Sequence, residues 1–132
     1  ILFICTGTFP DVFHSDLPLL YPQKILHSVI PHMTKSGKIG VIIPAKEQIQ
    51  QTVQKWGEAG LDATVAAYSP YDMSDEISQT VQEFHEKKLD LIVMDCIGYT
   101  SWMKNEVARK TGKPVVLART FVARVLGELL NH

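Results

Sequence analysis

The stretch Asp90-Leu91-Ile92-Val93-Met94-Asp95-Cys96-Ile97-Gly98-Tyr99 decides the fold. Four consecutive apolar residues between two acids, without polar alternation, are the pattern of a strand covered on both faces, as in a parallel sheet. Such a strand delivers Cys96 to its C-terminal end, which is where open α/β sheets bind their ligands. Cys96 is then either a small core hydrophobe or a reactive thiol at the mouth of a site.

Working outward from this strand, apolar runs alternate with helical periodicity. Downstream, a helix is expected from about Ser101 to Thr111, with Gly112 as its C-cap and Pro114 just beyond. Val115 to Leu117 then make a last strand, and a terminal helix runs from about Thr120 to Leu130. Its stripe of Phe121, Val122, Val125, Leu126, Leu129 and Leu130 is wide enough to be buried against two neighbours.

Upstream, Ile77, Val81 and Phe84 share a helical face that Ser74 or Asp75 can cap, and Ala63 to Ala67 form a weaker strand. Ile49, Val53 and Trp56 mark an amphipathic helix ended by Gly57 and Gly60, and Lys38 to Ile43 a buried strand closed by Pro44. A helix beginning at Pro22 carries Ile25, Leu26, Val29, Ile30 and Met33, with Pro31 expected to kink or shorten it. Ile1 to Ile4 are a further short strand, followed by the loop Cys5 to Asp11.

Regular alternation of strand and helix predicts right-handed βαβ units, hence an α/β fold with a mostly parallel, flavodoxin-like sheet and helices on both faces. The chain has 132 residues, 45% apolar and 20% charged, which suits one ordinary domain with one core. It opens directly inside an apolar strand without an initiator methionine, so a longer protein with further N-terminal sequence is expected.

Thirteen basic and 14 acidic residues are scattered along the chain, for a net charge of -1. That distribution leaves no electrostatic footprint for nucleic acid or an anionic membrane. No apolar stretch reaches the roughly 20 residues of a membrane span, and no secretory signal is visible. A cytoplasmic protein with reduced thiols is expected.

Metal and phosphate chemistry find little support. His27 and His32 are five residues apart and do not share a helical face, and no cysteine pair has zinc spacing. Neither metal nor cofactor is expected. Asp11 stands where a Cys5-based phosphatase loop needs arginine, Cys-x-x-Cys is absent, and so are the Gly-rich phosphate signatures.

The two cysteines sit in matching surroundings. Leu2-Phe3-Ile4-Cys5-Thr6-Gly7 and Val93-Met94-Asp95-Cys96-Ile97-Gly98 both run from an apolar strand into Cys-x-Gly. The echo suggests two copies of a half-site.

The segment Leu91 to Tyr99, with Pro114-Val115-Val116-Leu117 and Ala123-Arg124-Val125-Leu126-Gly127-Glu128-Leu129-Leu130 after it, resembles the C-terminal part of AroM-family proteins. Gly40-Val41-Ile42-Ile43-Pro44 and Gln54-Lys55-Trp56 fit the same pattern. That family is similar to the aspartate/glutamate/hydantoin racemase superfamily, in which two α/β lobes face one cleft and each contributes a cysteine.

The resemblance implies that residues 1–20 end a largely missing N-terminal lobe. Residues 21–118 form the second lobe, and 119–132 are a helix returning to the first. Cys5 and Cys96 are implied as the acid/base pair of a cofactor-independent racemase, isomerase or lyase acting on a small carboxylate-bearing ligand. Ile97, Gly98 and Tyr99 depart from the Thr and acid that racemases commonly place after the second cysteine. The C-terminal helix and the missing lobe are the surfaces offered for a homo-oligomer.

Moving a proton on a carbon next to a carboxylate requires one thiolate and one thiol, and backbone N–H groups favour the thiolate. The amides of Thr6, Gly7 and Thr8 serve Cys5 in this reading, and those of Gly98, Tyr99 and Thr100 serve Cys96. The same donors are candidates for a substrate carboxylate and for the enediolate. Asp95 has the wrong charge for that task. The alternative is an anion-binding or regulatory protein without turnover. Trp56 and Trp102 read as core or interface anchors, Tyr99 as a packing residue, and Arg119 as a solvated or capping residue.

Overall fold

The computed structural model describes residues 1–2, 15–71 and 76–130. Four strands form one sheet: β1 (Lys38–Ile43), β2 (Asp62–Ala67), β3 (Leu91–Met94) and β4 (Val115–Leu117). Their order is β2-β1-β3-β4, and every pairing is parallel. This is the flavodoxin-type order, in which the direction of winding reverses between β1 and β3.

The register aligns Ile39 with Leu91 and Ile42 with Met94, and Asp95 N–H donates to the Ile42 carbonyl at 2.9 Å, which carries the ladder one residue past β3. β3 is buried along its whole length, as its unbroken apolar run requires.

Helices cover both faces. On one lie α1 (Pro22–Val29), α2 (Ile49–Glu58) and α5 (Ala118–Leu130), packed on Ile39, Val41, Ile43, Leu91 and Val93 through Leu26, Trp56 and Ala118. On the other lie α3 (Ile77–Val81) and α4 (Ser101–Thr111), whose Ile77, Val81 and Val107 meet Ile42, Ile92, Met94 and Leu117. Successive residues of each strand thus feed opposite cores, as the two-residue period of a strand demands.

Local chemistry sets most boundaries. Pro22 opens α1 at its first turn, and the helix yields to a 3-10 turn over Ile30–Met33 at Pro31, which has no N–H to donate. Thr100 caps α4 by accepting the Met103 N–H at 3.2 Å, and Gly112 ends that helix with φ 69°. Gly40 admits Phe84 across the sheet, since a Cβ there would stand 2.9 Å from the Phe84 ring.

At the bottom of β3, Asp90 accepts the N–H groups of Lys35 and Ser36 and the Ser36 hydroxyl, at 2.8 to 2.9 Å. Those bonds, the Ser36 amide foremost, hold its carboxyl below the usual range.

Three expectations shift. The terminal helix begins at Ala118, directly out of β4, rather than at about Thr120. Its apolar stripe is only partly covered: Ala118 and Val122 are buried, while Leu129 and Leu130 are exposed. Trp102 is 64% exposed, which removes the core half of its reading and leaves the interface half, whereas Trp56 is wholly buried. Of the expected first strand, Leu2 forms a parallel bridge with Leu20; Phe3 and Ile4, like Ser74 and Asp75, lie outside the described residues. No helix among the described residues is long and apolar enough to cross a membrane.

Candidate functional site

A cleft of about 480 Å³ opens at the C-terminal edge of the sheet, where β1 and β3 end side by side. Ile43 and Pro44 come from the end of β1, and Asp95, Cys96, Ile97 and Gly98 from the turn after β3. A parallel sheet leaves a crevice at this point because the crossovers after β1 and β3 depart to opposite faces. The α1–α2 side supplies Gln23, His27, Gln51, Lys55 and Trp56.

Cys96 is partly buried in this cleft, and its sulfur accepts the Gly98 N–H at 3.4 Å. An N–H aimed at a thiol sulfur favours its anionic form. Asp95, 8% exposed, lines the same cleft and acts in the opposite sense on any charge that develops there. Gly98 is needed for a close approach: the space a Cβ would occupy is taken by the Tyr71 hydroxyl, with Tyr71 Cζ at 2.8 Å and Pro70 Cγ at 3.1 Å. Tyr71, 78% exposed, thereby leans over the Cys96–Gly98 turn.

The other residues proposed around Cys96 have separate duties. Tyr99 is fully buried in the α3/α4 core, and its hydroxyl donates to the Tyr68 carbonyl at 2.6 Å. Burial first, then the neighbouring Cys96 and Asp95, push the Tyr99 hydroxyl far above its usual range, so it stays protonated. The Tyr99 N–H donates to the Cys96 carbonyl at 3.4 Å, and the Thr100 N–H to Met103 Sδ at 3.5 Å. Only Gly98 of these three directs its amide to the thiol. Cys5, Thr6, Gly7 and Thr8 lie outside the described residues.

The α1–α2 wall escaped the reading of the sequence. His27 and Trp56 stack with ring centroids 4.1 Å apart, tilted by 38°. Trp56 Nε1 and His27 Nε2 are both buried and have no hydrogen-bond partner among the described residues. Burial, and then the Lys55 charge, hold His27 below the usual 6.5, with Glu58 acting weakly the other way. Helical spacing on α2 does place Thr52, Lys55 and Trp56 on neighbouring faces. Nothing in the sequence says that α1 brings His27 against them.

The wholly parallel β2-β1-β3-β4 sheet with helices on both faces is an α/β fold that solved racemase structures share. Three of the matching solved structures are racemases, and at these identities they speak for the fold alone. Glutamate racemase RacE1 from Bacillus anthracis matches with a TM-score of 0.66 and 17% identity over 89% of this chain and 50% of its own. Allantoin racemase from Pseudomonas fluorescens gives 0.61 and 19% over 86% and 52%. Glutamate racemase from Aquifex pyrophilus gives 0.60 and 20% over 86% and 50%. The chain spans about half the length of these racemases.

The AroM protein family model matches residues 1–130, and the chain belongs to that family. None of the curated proteins matches it.

Proposed function

We propose that this chain is the second-lobe part of a racemase- or isomerase-like protein that moves a proton, without a cofactor, on a carbon next to a carboxylate. Cys96 acts on one face of that carbon and Cys5 on the other. Residues 1–20 end the first lobe, 21–118 form the second, and 119–132 return to the first. The protein works in the cytoplasm on a small carboxylate-bearing ligand.

The observation that carries this reading is the Cys96 sulfur, facing the switch-point cleft with an N–H aimed at it from Gly98. The fold shared with glutamate and allantoin racemases supports it. In solvent D₂O, the intact protein is expected to place deuterium on the substrate carbon, and Cys96→Ala to abolish that exchange. Exchange that survives Cys96→Ala in a protein shown to bind the ligand removes the acid/base assignment.

Asp95 favours a second reading, a binding or regulatory protein without turnover, because a carboxylate beside the thiol opposes the thiolate. That reading expects ligand-induced thermal stabilisation that persists after both cysteines are replaced, with no exchange in the unaltered protein.

A further inference from the structure

Two side chains that line the cleft carry polar atoms left without hydrogen bonds. Trp56 has no exposed surface, and its Nε1 is buried without a partner among the described residues. His27 Nε2 stands in the same condition, and the stack of the two rings, 4.1 Å between centroids, holds both side chains against the cleft.

The indole N–H is a donor only, so nothing but an acceptor satisfies it. A phenylalanine ring fills a core without that demand, and buried donors are seldom left unpaired. Other donors at the cleft are engaged. The Thr52 hydroxyl, one turn before Trp56 on α2, donates to the Gln48 carbonyl at 2.7 Å, and the Gly98 N–H is directed at the Cys96 sulfur. The cleft, about 480 Å³, has the size of a small-molecule site. Ile43, Pro44 and Ile97 give it apolar surface, which strengthens any hydrogen bond made there.

We infer that Trp56, with His27 stacked on it, is a binding residue whose indole N–H receives an oxygen acceptor of the ligand, a carboxylate or carbonyl oxygen. The inference takes from the proposed function only the cleft as the ligand's place. Because Nε1 is buried, the wall shifts slightly as the oxygen arrives, and the hydrogen bond gained offsets that shift.

Acetate and acetamide test this, since they share a shape and separate a carboxylate oxygen from a neutral carbonyl oxygen. Each is titrated into the intact protein with ¹⁵N-labelled tryptophan, the indole signals being assigned with Trp56→Phe and Trp102→Phe. Trp102, exposed on α4, is the internal control. The Trp56 indole proton is expected to move downfield with at least one probe while that of Trp102 stays in place. A response to acetate alone makes the acceptor a carboxylate, and a response to both admits any carbonyl oxygen.

A second arm reads the same cleft through Cys96. The probe concentration that halves the rate at which iodoacetamide alkylates Cys96 is expected to rise about 10-fold in Trp56→Phe and to stay unchanged in Trp102→Phe. Should Trp56→Phe fail to fold, the indole signal of the unaltered protein decides.

A Trp56 signal unmoved by both probes, one that moves no more than Trp102, or a half-protecting concentration indifferent to Trp56→Phe overturns the inference. A Trp56 response in a protein that shows no deuterium exchange retains the acceptor site and discards the racemase reading. Exchange on a substrate that leaves the Trp56 signal unmoved does the reverse.

Discussion

The two faces of the sheet bury aromatic residues in opposite ways. Under α3 and α4, Tyr99 is fully buried and its hydroxyl ends on the Tyr68 carbonyl, so the polar tip is satisfied within the core. Under α1 and α2, Trp56 is equally buried, yet its Nε1 and the His27 Nε2 stacked on it have no partner among the described residues. A buried polar group without a partner costs about 1–3 kcal/mol. The face that tolerates this strain is the one on which the cleft opens. The α1–α2 face thus leaves polar atoms without partners among the described residues beside the cleft, while the α3–α4 face, which has a hollow of its own beside Ala66 and Thr80, pairs the tip of Tyr99.

The comparison can be broken most forcefully at Trp56. Trp56→Ala removes the largest side chain of the open face, and chemical denaturation is expected to show a loss of about 3–5 kcal/mol. A loss under about 1 kcal/mol means that the core on that face does not depend on it.

Tyr99→Phe keeps the ring and removes the hydroxyl that donates to the Tyr68 carbonyl. The expected loss is about 1–2 kcal/mol by chemical denaturation, with the rate at which iodoacetamide alkylates Cys96 unchanged. If that rate changes several-fold, Tyr99 belongs to the site after all.

The smallest effect concerns pH. His27 is held below its ordinary 6.5 in the folded chain, mainly by burial, so the unfolded chain takes up that proton first. Stability is therefore expected to fall as pH drops through about 6.5 and to level off below the folded-state value. Melting temperatures from pH 8 to pH 5 check this, and His27→Asn should flatten that segment of the profile. A slope unchanged in His27→Asn assigns the proton uptake to another group.

Much of the fold was legible in local chemistry. The run Leu91 to Met94 announced a doubly covered strand, Pro22 and Gly112 marked helix ends, and Gly40 through Ile43 gave the second central strand. Helix ends forced by tertiary packing were less visible. Ala118 joins α5 directly to β4 because its methyl is buried against the α1/α2 core, a reason no local pattern carries. Trp102 shows the same limit, since an indole on an amphipathic helix gives no sign of whether a neighbour covers it.

The candidate site divides along the same line. Cys96 and Gly98 were identifiable because a strand end is a local property, and the turn that aims the Gly98 amide at the sulfur spans three residues. The sequence by itself determined the alternation of strand and helix, the thiol at the end of β3 and the acid beside it. Only the tertiary structure decided that α1 and α2 bring Gln23, His27, Lys55 and Trp56 across from that thiol. These residues lie far from Cys96 along the chain. What brings them near is the parallel order β2-β1-β3-β4, which sets β1 and β3 side by side and sends their helices to opposite faces.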